Sequence, residues 1–470
     1  MTDERSTSPE PDHDDAPEEV GTSAAEATRR RRVVVVGGGF GGYFAARRLG
    51  RKAREHDAVV ELVSEGDAML YQPLLPDVAV GNVEPRTVAV PLTTTLDGVR
   101  VRRGLATEVD VENRRLVVEA ASGQRTEVDY DILVLAPGSV SRLVDVPGLA
   151  EHAIGFKTVA QAMFLRDHVL GRLQAASELR TPDERRALLT FVVVGAGYAG
   201  TELVAQMALL TDGLRPVFPM IGDDEVRWVL LDMASKVMPE LGQHLGDDAL
   251  ALLQRRGVDV RLKTSLAHVR EDAVDLTDGS TLECSTVVWC AGVTGNPLVA
   301  TLGLPTTKGR LVVDTDLGVP GHPEIYAIGD AAAVPDVTAD RDDDGNRPLC
   351  APTAQHAMRQ GNAVARNVLA DLAGQPRTPY RHRDLGLVVD LGGPDAAARP
   401  LGIALKGRLA KLVTVGYHWY ALPTAKRRAR LLTDWALAGR HPDDVSFGMV
   451  DRQEARVTGA EPLGGRQEHA

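Results

Sequence analysis

Cysteine and phenylalanine are scarce here: three Cys and seven Phe in 470 residues. Cys284, Cys290 and Cys350 make no Cys-x-x-Cys pair and cannot build a disulfide framework, which points to a reducing compartment. They read as small buried hydrophobes. No run of 18 apolar residues occurs, so no single helix is expected to span a bilayer. The first residues lack the basic, apolar pattern of a secretory signal and are acidic instead.

Glycine and acid are abundant. The chain holds 46 Gly, and 65 Asp and Glu against 53 Lys and Arg. Residues 1–28 contain nine acids and one base, so −8 of the net −12 sits there and only −4 is left for the rest. With almost no apolar anchor, that stretch reads as a disordered, solubilising tail. No basic domain suggests a nucleic-acid partner. A hydrophobic share of 44% and a charged share of 25% fit an ordinary globular protein of two or three domains.

The glycines are patterned. "VVVV" (33–36) reads as a buried strand, followed by "GGGFGG" and the helical "YFAARRLG". Gly37, Gly39 and Gly42 give Gly-x-Gly-x-x-Gly between strand and helix. The first glycine permits the turn, the second lets the backbone approach a pyrophosphate, and the third lets helix and strand pack. The next strand, "AVVELVSEGD" (58–67), should end in an acid for a ribose 2′-OH. Glu65 is chosen over Glu61, with Ser64 just before it. A second copy of the motif is "FVVVGAGYAGTELVAQM", with Gly195, Gly197 and Gly200, and a later strand ends in Asp232. Two such motifs about 150–160 residues apart, with a return segment ending in Gly329-Asp330, imply a flavoprotein with two dinucleotides. The first fold holds FAD, and the second, nested inside it, admits NAD.

Several further stretches resemble one family. "YQPLLPDVAVGNVEP" (71–85), "GFKT" (155–158), "VVWCAGV" (287–293), "GHPEIYAIGDAA" (321–332) and "PTAQHAMRQG" (352–361), with both glycine motifs, resemble type II NADH dehydrogenases over roughly residues 32–450. The resemblance implies a non-proton-pumping NADH:quinone oxidoreductase with FAD as cofactor, NADH as donor, a membrane quinone as acceptor and attachment to one leaflet. It assigns Phe40, Ala106, Gly138, Asp330 and Gly292 to cofactor contacts, and Glu202 and Gln355 to catalysis. Three positions depart from the family pattern. Ser64 stands where an acid is usual, the turn reads Ala136-Pro137-Gly138, and Arg359 precedes Gln360 in the quinone motif.

These residues have readings of their own. Asp232 at a strand end would bond two ribose hydroxyls and repel a 2′-phosphate, favouring NADH over NADPH. Glu202 is placed on the first turn of its helix, where the resemblance implies a position near the nicotinamide and quinone and the residue alone reads equally as a carboxylate at a helix N-terminus. Gln355 offers a neutral amide to a quinone carbonyl, or else is a helix-capping or core amide. His356 should point about 100° away from it.

Between Leu405 and Arg440 lie eight bases and one acid, interleaved with Leu409, Leu412, Tyr417, Trp419, Tyr420, Leu422, Leu431 and Trp435, and broken at Pro423. This predicts a helix pair on an anionic leaflet, the alternative being a basic helix pair packed on the flavin domain or across a dimer. The expected architecture is α/β: two Rossmann-type dinucleotide-binding domains, the NAD domain nested in the FAD domain, plus a C-terminal amphipathic helical region that anchors to the membrane. The divisions are a disordered acidic tail (1–30), FAD domain (31–160 and 297–380), NAD domain (161–296), membrane-associating region (381–450) and a disordered tail (451–470). The setting is cytoplasmic, peripheral on the inner face of the cell membrane, with a homodimer admissible. Competing readings are a soluble flavin reductase serving a protein such as ferredoxin, a sulfide:quinone reductase-like enzyme, and a redox-sensing flavoprotein. The first two share the fold, and the second normally needs paired cysteines.

Overall fold

Arg31–Val36 forms a strand whose four valines are buried, because a parallel strand covered on both faces needs an unbroken apolar run. It lies inside a six-stranded sheet of a computed structural model that describes residues 30–341, 345, 347–438 and 446–457. The sheet order is Gly318–Val319, His322–Ala327, Ile132–Leu135, Arg31–Val36, Ala58–Ser64 and Val99–Arg103. All pairings are parallel except the edge hairpin of the first two strands. A second, fully parallel sheet runs Ile154–Gly155, Thr286–Trp289, Thr190–Val194, Arg227–Asp232 and Asp259–Leu262. The chain leaves the first sheet after Leu135 and re-enters it at its 318–327 hairpin. The second fold is therefore nested in the first, as the motif order implied.

Three boundaries differ from the sequence reading. Ile154–Gly155 already pairs with Thr286–Trp289, so the nested fold begins before residue 161. The region after 381 is not helical throughout: Val388–Asp390, Ala396–Ala398 and Leu405–Lys406 form a small antiparallel sheet ahead of the helices Gly407–Ala421 and Ala425–Leu437. Strands of two or three residues carry too little period to be read. Finally, 451–457 is not a disordered tail. Helix Arg452–Ala455 buries Ala455, and Val457 N–H donates to the Ala153 carbonyl at 3.1 Å. The acidic tail to residue 29, Arg440 and residues 458–470 lie outside the described residues.

One crossing positions the site. Helix Ala354–Leu372 lies on helix Phe40–Lys52 so closely that a Cβ on Gly361 would sit 2.4 Å from the Gly41 carbonyl oxygen. This contact joins the "AQHAMRQ" helix to the first glycine motif, 320 positions earlier in the sequence.

Candidate functional site

The two glycine motifs form near-identical cradles. Gly37 has φ +101°, and a Cβ there would lie 2.1 Å from the Ala136 carbonyl oxygen; a Cβ on Gly42 would lie 1.8 Å from the Gly37 oxygen. In the second motif Gly195 has φ +110°, and a Cβ on Gly200 would lie 2.0 Å from the Gly195 oxygen. Gly39 and Gly197 instead face open space, with nothing within 4 Å. Each caps its helix without a side chain. Outer glycines packed against backbone and a middle glycine left open are what a pyrophosphate at a helix N-terminus requires. The residues present fit two dinucleotides, FAD and NAD.

The two acids beside the first cradle are packed differently. Glu61 is buried in its strand and ion-paired to Arg102. Ser64 is buried against Gly38. Glu65 is exposed and lines a cleft with Arg103, Gly104, Leu105, Glu119 and Ala120. Ala106 is buried one residue beyond that cleft, in strand Leu105–Asp110.

Asp330 sits in the turn Gly329–Ala331 and accepts a hydrogen bond from Ser139 Oγ at 2.7 Å. Lys157 Nζ donates to the Ser139 carbonyl at 2.9 Å. Burial lowers the Lys157 ammonium pKa, and nearby Asp330 opposes that shift. Lys157 was not singled out from the sequence, although "GFKT" contained it. Gln360 Oε1 accepts from Gly329 N–H at 2.7 Å and so braces the Asp330 turn. Gly138 (φ +79°) and Gly292 (φ +70°) supply the left-handed turns next to the two cradles.

Asp232 ends its strand and accepts from Ala196 N–H at 2.5 Å and Ala234 N–H at 2.6 Å. Ala196 lies inside the second glycine motif, so the carboxylate is tied to the NAD cradle.

Glu202 is not at a helix N-terminus. It is the fifth residue of Tyr198–Gly213, is buried, and accepts from Asp390 N–H at 2.8 Å. Burial raises its pKa well above the usual carboxylate range, opposed by that Asp390 bond and reinforced by the Asp390 and Asp77 charges. Lys411 Nζ bonds both Asp390 oxygens at 2.6 and 2.7 Å. Asp77, from "QPLLPD", is pushed up to about 7, first by burial and then by Asp390, with Lys411 opposing. His418 is pulled down to about 4 by burial, and its Nδ1 lies 3.1 Å from the Tyr71 hydroxyl. The Tyr71 ring also lies 5.6 Å from Phe40, at the start of the first cradle helix. Only Glu202 of this buried network was legible beforehand. The others come from segments 71–77, 390 and 411–418, which only folding assembles.

Gln355 Nε2 donates to the Gly386 carbonyl at 3.1 Å, and its amide lies beside the Tyr417 hydroxyl. Gln355 and Glu202 thus converge on helix Gly407–Ala421, the first at Tyr417 and the second through Asp390 and Lys411. The helix cap is Thr353, whose Oγ1 accepts from His356 N–H, so Gln355 is not needed for capping. His356 turns to Tyr380 and stacks on His382 at 3.8 Å. All three cysteine thiols are pushed up to about 12, mainly by burial, as expected of packing residues.

No described helix is long and apolar enough to cross a membrane. Helix Gly407–Ala421 turns Ala410, Thr414 and His418 inward, and leaves Leu409 (67% exposed), Leu412 (71%), Trp419 and Tyr420 (69%) outward. The expected basic surface is partly spent within the protein. Lys411 pairs with Asp390, Lys406 with Asp248, Arg427 donates to the Arg86 carbonyl and Arg428 to that of Leu422. Leu422 and Leu431 are buried rather than interfacial.

A family model described as pyridine nucleotide-disulphide oxidoreductase matches residues 31–361. The type II NADH:quinone oxidoreductase Ndh of Mycobacterium tuberculosis (strain ATCC 25618 / H37Rv) is 31% identical, covering 90% of this chain and 92% of that protein. The demethylphylloquinone reductase NdbB of Synechocystis is 28% identical over 84% of this chain and 93% of its own length. Among solved structures, NDH2 from Plasmodium falciparum in complex with NADH superposes with a TM-score of 0.79 at 17% identity, covering 88% of this chain and all of that one. At that identity the match speaks for the fold.

Proposed function

The chain belongs to the pyridine nucleotide-disulphide oxidoreductases and, within them, to the type II NADH:quinone oxidoreductases, and on that footing we propose that it oxidises NADH with a membrane quinone through bound FAD, without pumping protons. The flavin supplies the chemistry, taking hydride from NADH and delivering two electrons to quinone. The protein supplies binding and placement. NADH and one proton are consumed with each quinone, and NAD+ and quinol leave.

The observation that carries this reading is the paired cradle, in which two glycine turns each leave the middle glycine open. Asp330 and Lys157 would flank the flavin, and Asp232 would hold the ribose of NADH. Gln355 offers an amide to the quinone from the helix that crosses the first cradle. The three cysteines are free, two buried and one half-buried, with thiol pKa values pushed up, and form no pair for sulfur or disulfide chemistry. The outward Leu409, Leu412, Trp419 and Tyr420 would rest in the cytoplasmic leaflet, making the protein peripheral.

The test is turnover. The purified protein should be yellow, release FAD rather than FMN on denaturation, and oxidise NADH with menaquinone or ubiquinone analogues in liposomes. Reduction of a small soluble acceptor or a ferredoxin, with no quinone reduced, would move the assignment to a soluble reductase.

A further inference from the structure

Gln355 and Arg359 lie four residues apart on helix Ala354–Leu372 and therefore share a face. Both grip one segment, residues 382–386. Gln355 Nε2 donates to the Gly386 carbonyl at 3.1 Å. The Arg359 guanidinium donates to the Arg383 carbonyl, and its Nη1 lies 3.2 Å from His382 Nδ1. The segment has little freedom elsewhere. Gly386 has φ +90°, and a Cβ there would lie 1.9 Å from the Arg399 carbonyl oxygen. Its N–H donates to Asp384 Oδ1 at 2.8 Å. His382 is wedged between the Arg359 guanidinium and the ring of His356, and the Tyr380 hydroxyl lies 3.2 Å from the Nδ1 of both imidazoles.

Residues 382–386 thus form a strap held by this helix, with a chemical consequence. A carbonyl can only accept, so Gly386 fixes which end of the Gln355 amide faces it, the NH2 rather than the oxygen. One N–H is thereby committed to the strap, which together with the neighbouring Tyr417 hydroxyl sets the orientation of the amide. We infer that Arg359 is a positioning residue for Gln355: by holding Arg383 and His382, it fixes the segment that orients the Gln355 amide toward a quinone carbonyl. The inference rests on the quinone reading above.

The full-length, FAD-loaded enzyme tests it with a short-tailed ubiquinone, in steady state and by stopped-flow reduction of the flavin with NADH. Arg359→Gln should raise the quinone KM about tenfold, the size of one misplaced hydrogen bond, while kcat and flavin reduction stay within about twofold. Arg359→Lys, which keeps one donor for the Arg383 carbonyl, should recover part of the loss. Added to Gln355→Leu, Arg359→Gln should cost nothing more, because the two act through one contact. Additive losses would make Arg359 an independent quinone ligand and overturn the inference. So would equal falls in both half-reactions for both Arg359 variants, or an unchanged quinone KM. A wild-type enzyme that reduces no quinone is a different failure: it removes the quinone reading itself and is seen before any variant is made.

Discussion

Asp232 accepts two backbone N–H groups, yet each carboxylate oxygen keeps a lone pair for a ribose hydroxyl. A phosphate at the 2′ position would meet that negative charge. Asp232→Arg should therefore shift the kcat/KM ratio toward NADPH by about ten- to a hundredfold, the range of a charge-assisted bond gained in place of repulsion. Absolute rates with both cofactors should fall, since Ala196 N–H loses its acceptor. An unchanged ratio would mean that another group reads the ribose. Asp77 is a fully buried carboxyl whose charged form is disfavoured. Its raised pKa favours the protonated form in the folded state. Between the ordinary carboxylate value and about 7, the unfolded chain ionises while the folded one does not, so stability falls as pH rises through that window and levels off above it. Asp77→Asn removes this titration. Its Tm should gain on wild type by a few degrees between about pH 5 and about pH 8. A difference that stays flat with pH would show that the carboxyl titrates normally.

At the scale of elements, helix Gly407–Ala421 has two faces with two tasks. The inward face carries Lys411 and His418 into the buried acid network, and the outward face exposes Leu409, Leu412, Trp419 and Tyr420. Removing the whole C-terminal region would thus strip a buried ion pair from Asp390 along with any surface for lipid. Point changes separate the roles. Leu409→Asp with Leu412→Asp should abolish co-sedimentation with anionic liposomes and lower turnover with long-tailed quinones, while NADH oxidation by a soluble acceptor is retained. Several of the nearby bases are engaged within the protein, so apolar insertion should dominate and added salt should detach the wild-type protein only partly. A double variant that still pellets with the vesicles would place the membrane surface elsewhere.

At the scale of the molecule, the sequence determined the nested pair of nucleotide folds. Each glycine motif lies within one strand-turn-helix, so its steric logic is local and survives reading along the chain: Gly37, Gly42, Gly195 and Gly200 are where backbone leaves no room for a Cβ. The return of the chain at Asp330 was legible for the same reason. Tertiary structure alone decided the rest of the site. Glu61 and Glu65 are equivalent as letters, and only the pairing of Glu61 with Arg102 separates them. Glu202 read equally as a residue near the nicotinamide and quinone or as a helix-terminal carboxylate, and the Asp390, Lys411 and Asp77 that close around it come from positions far along the chain. The fate of the C-terminal bases was likewise invisible, because the charge of a lysine is written in sequence but its partner is not. Local backbone sterics repeat in any chain that carries the motif; burial and ion pairing depend on which distant segments meet, and that is settled only when the core closes.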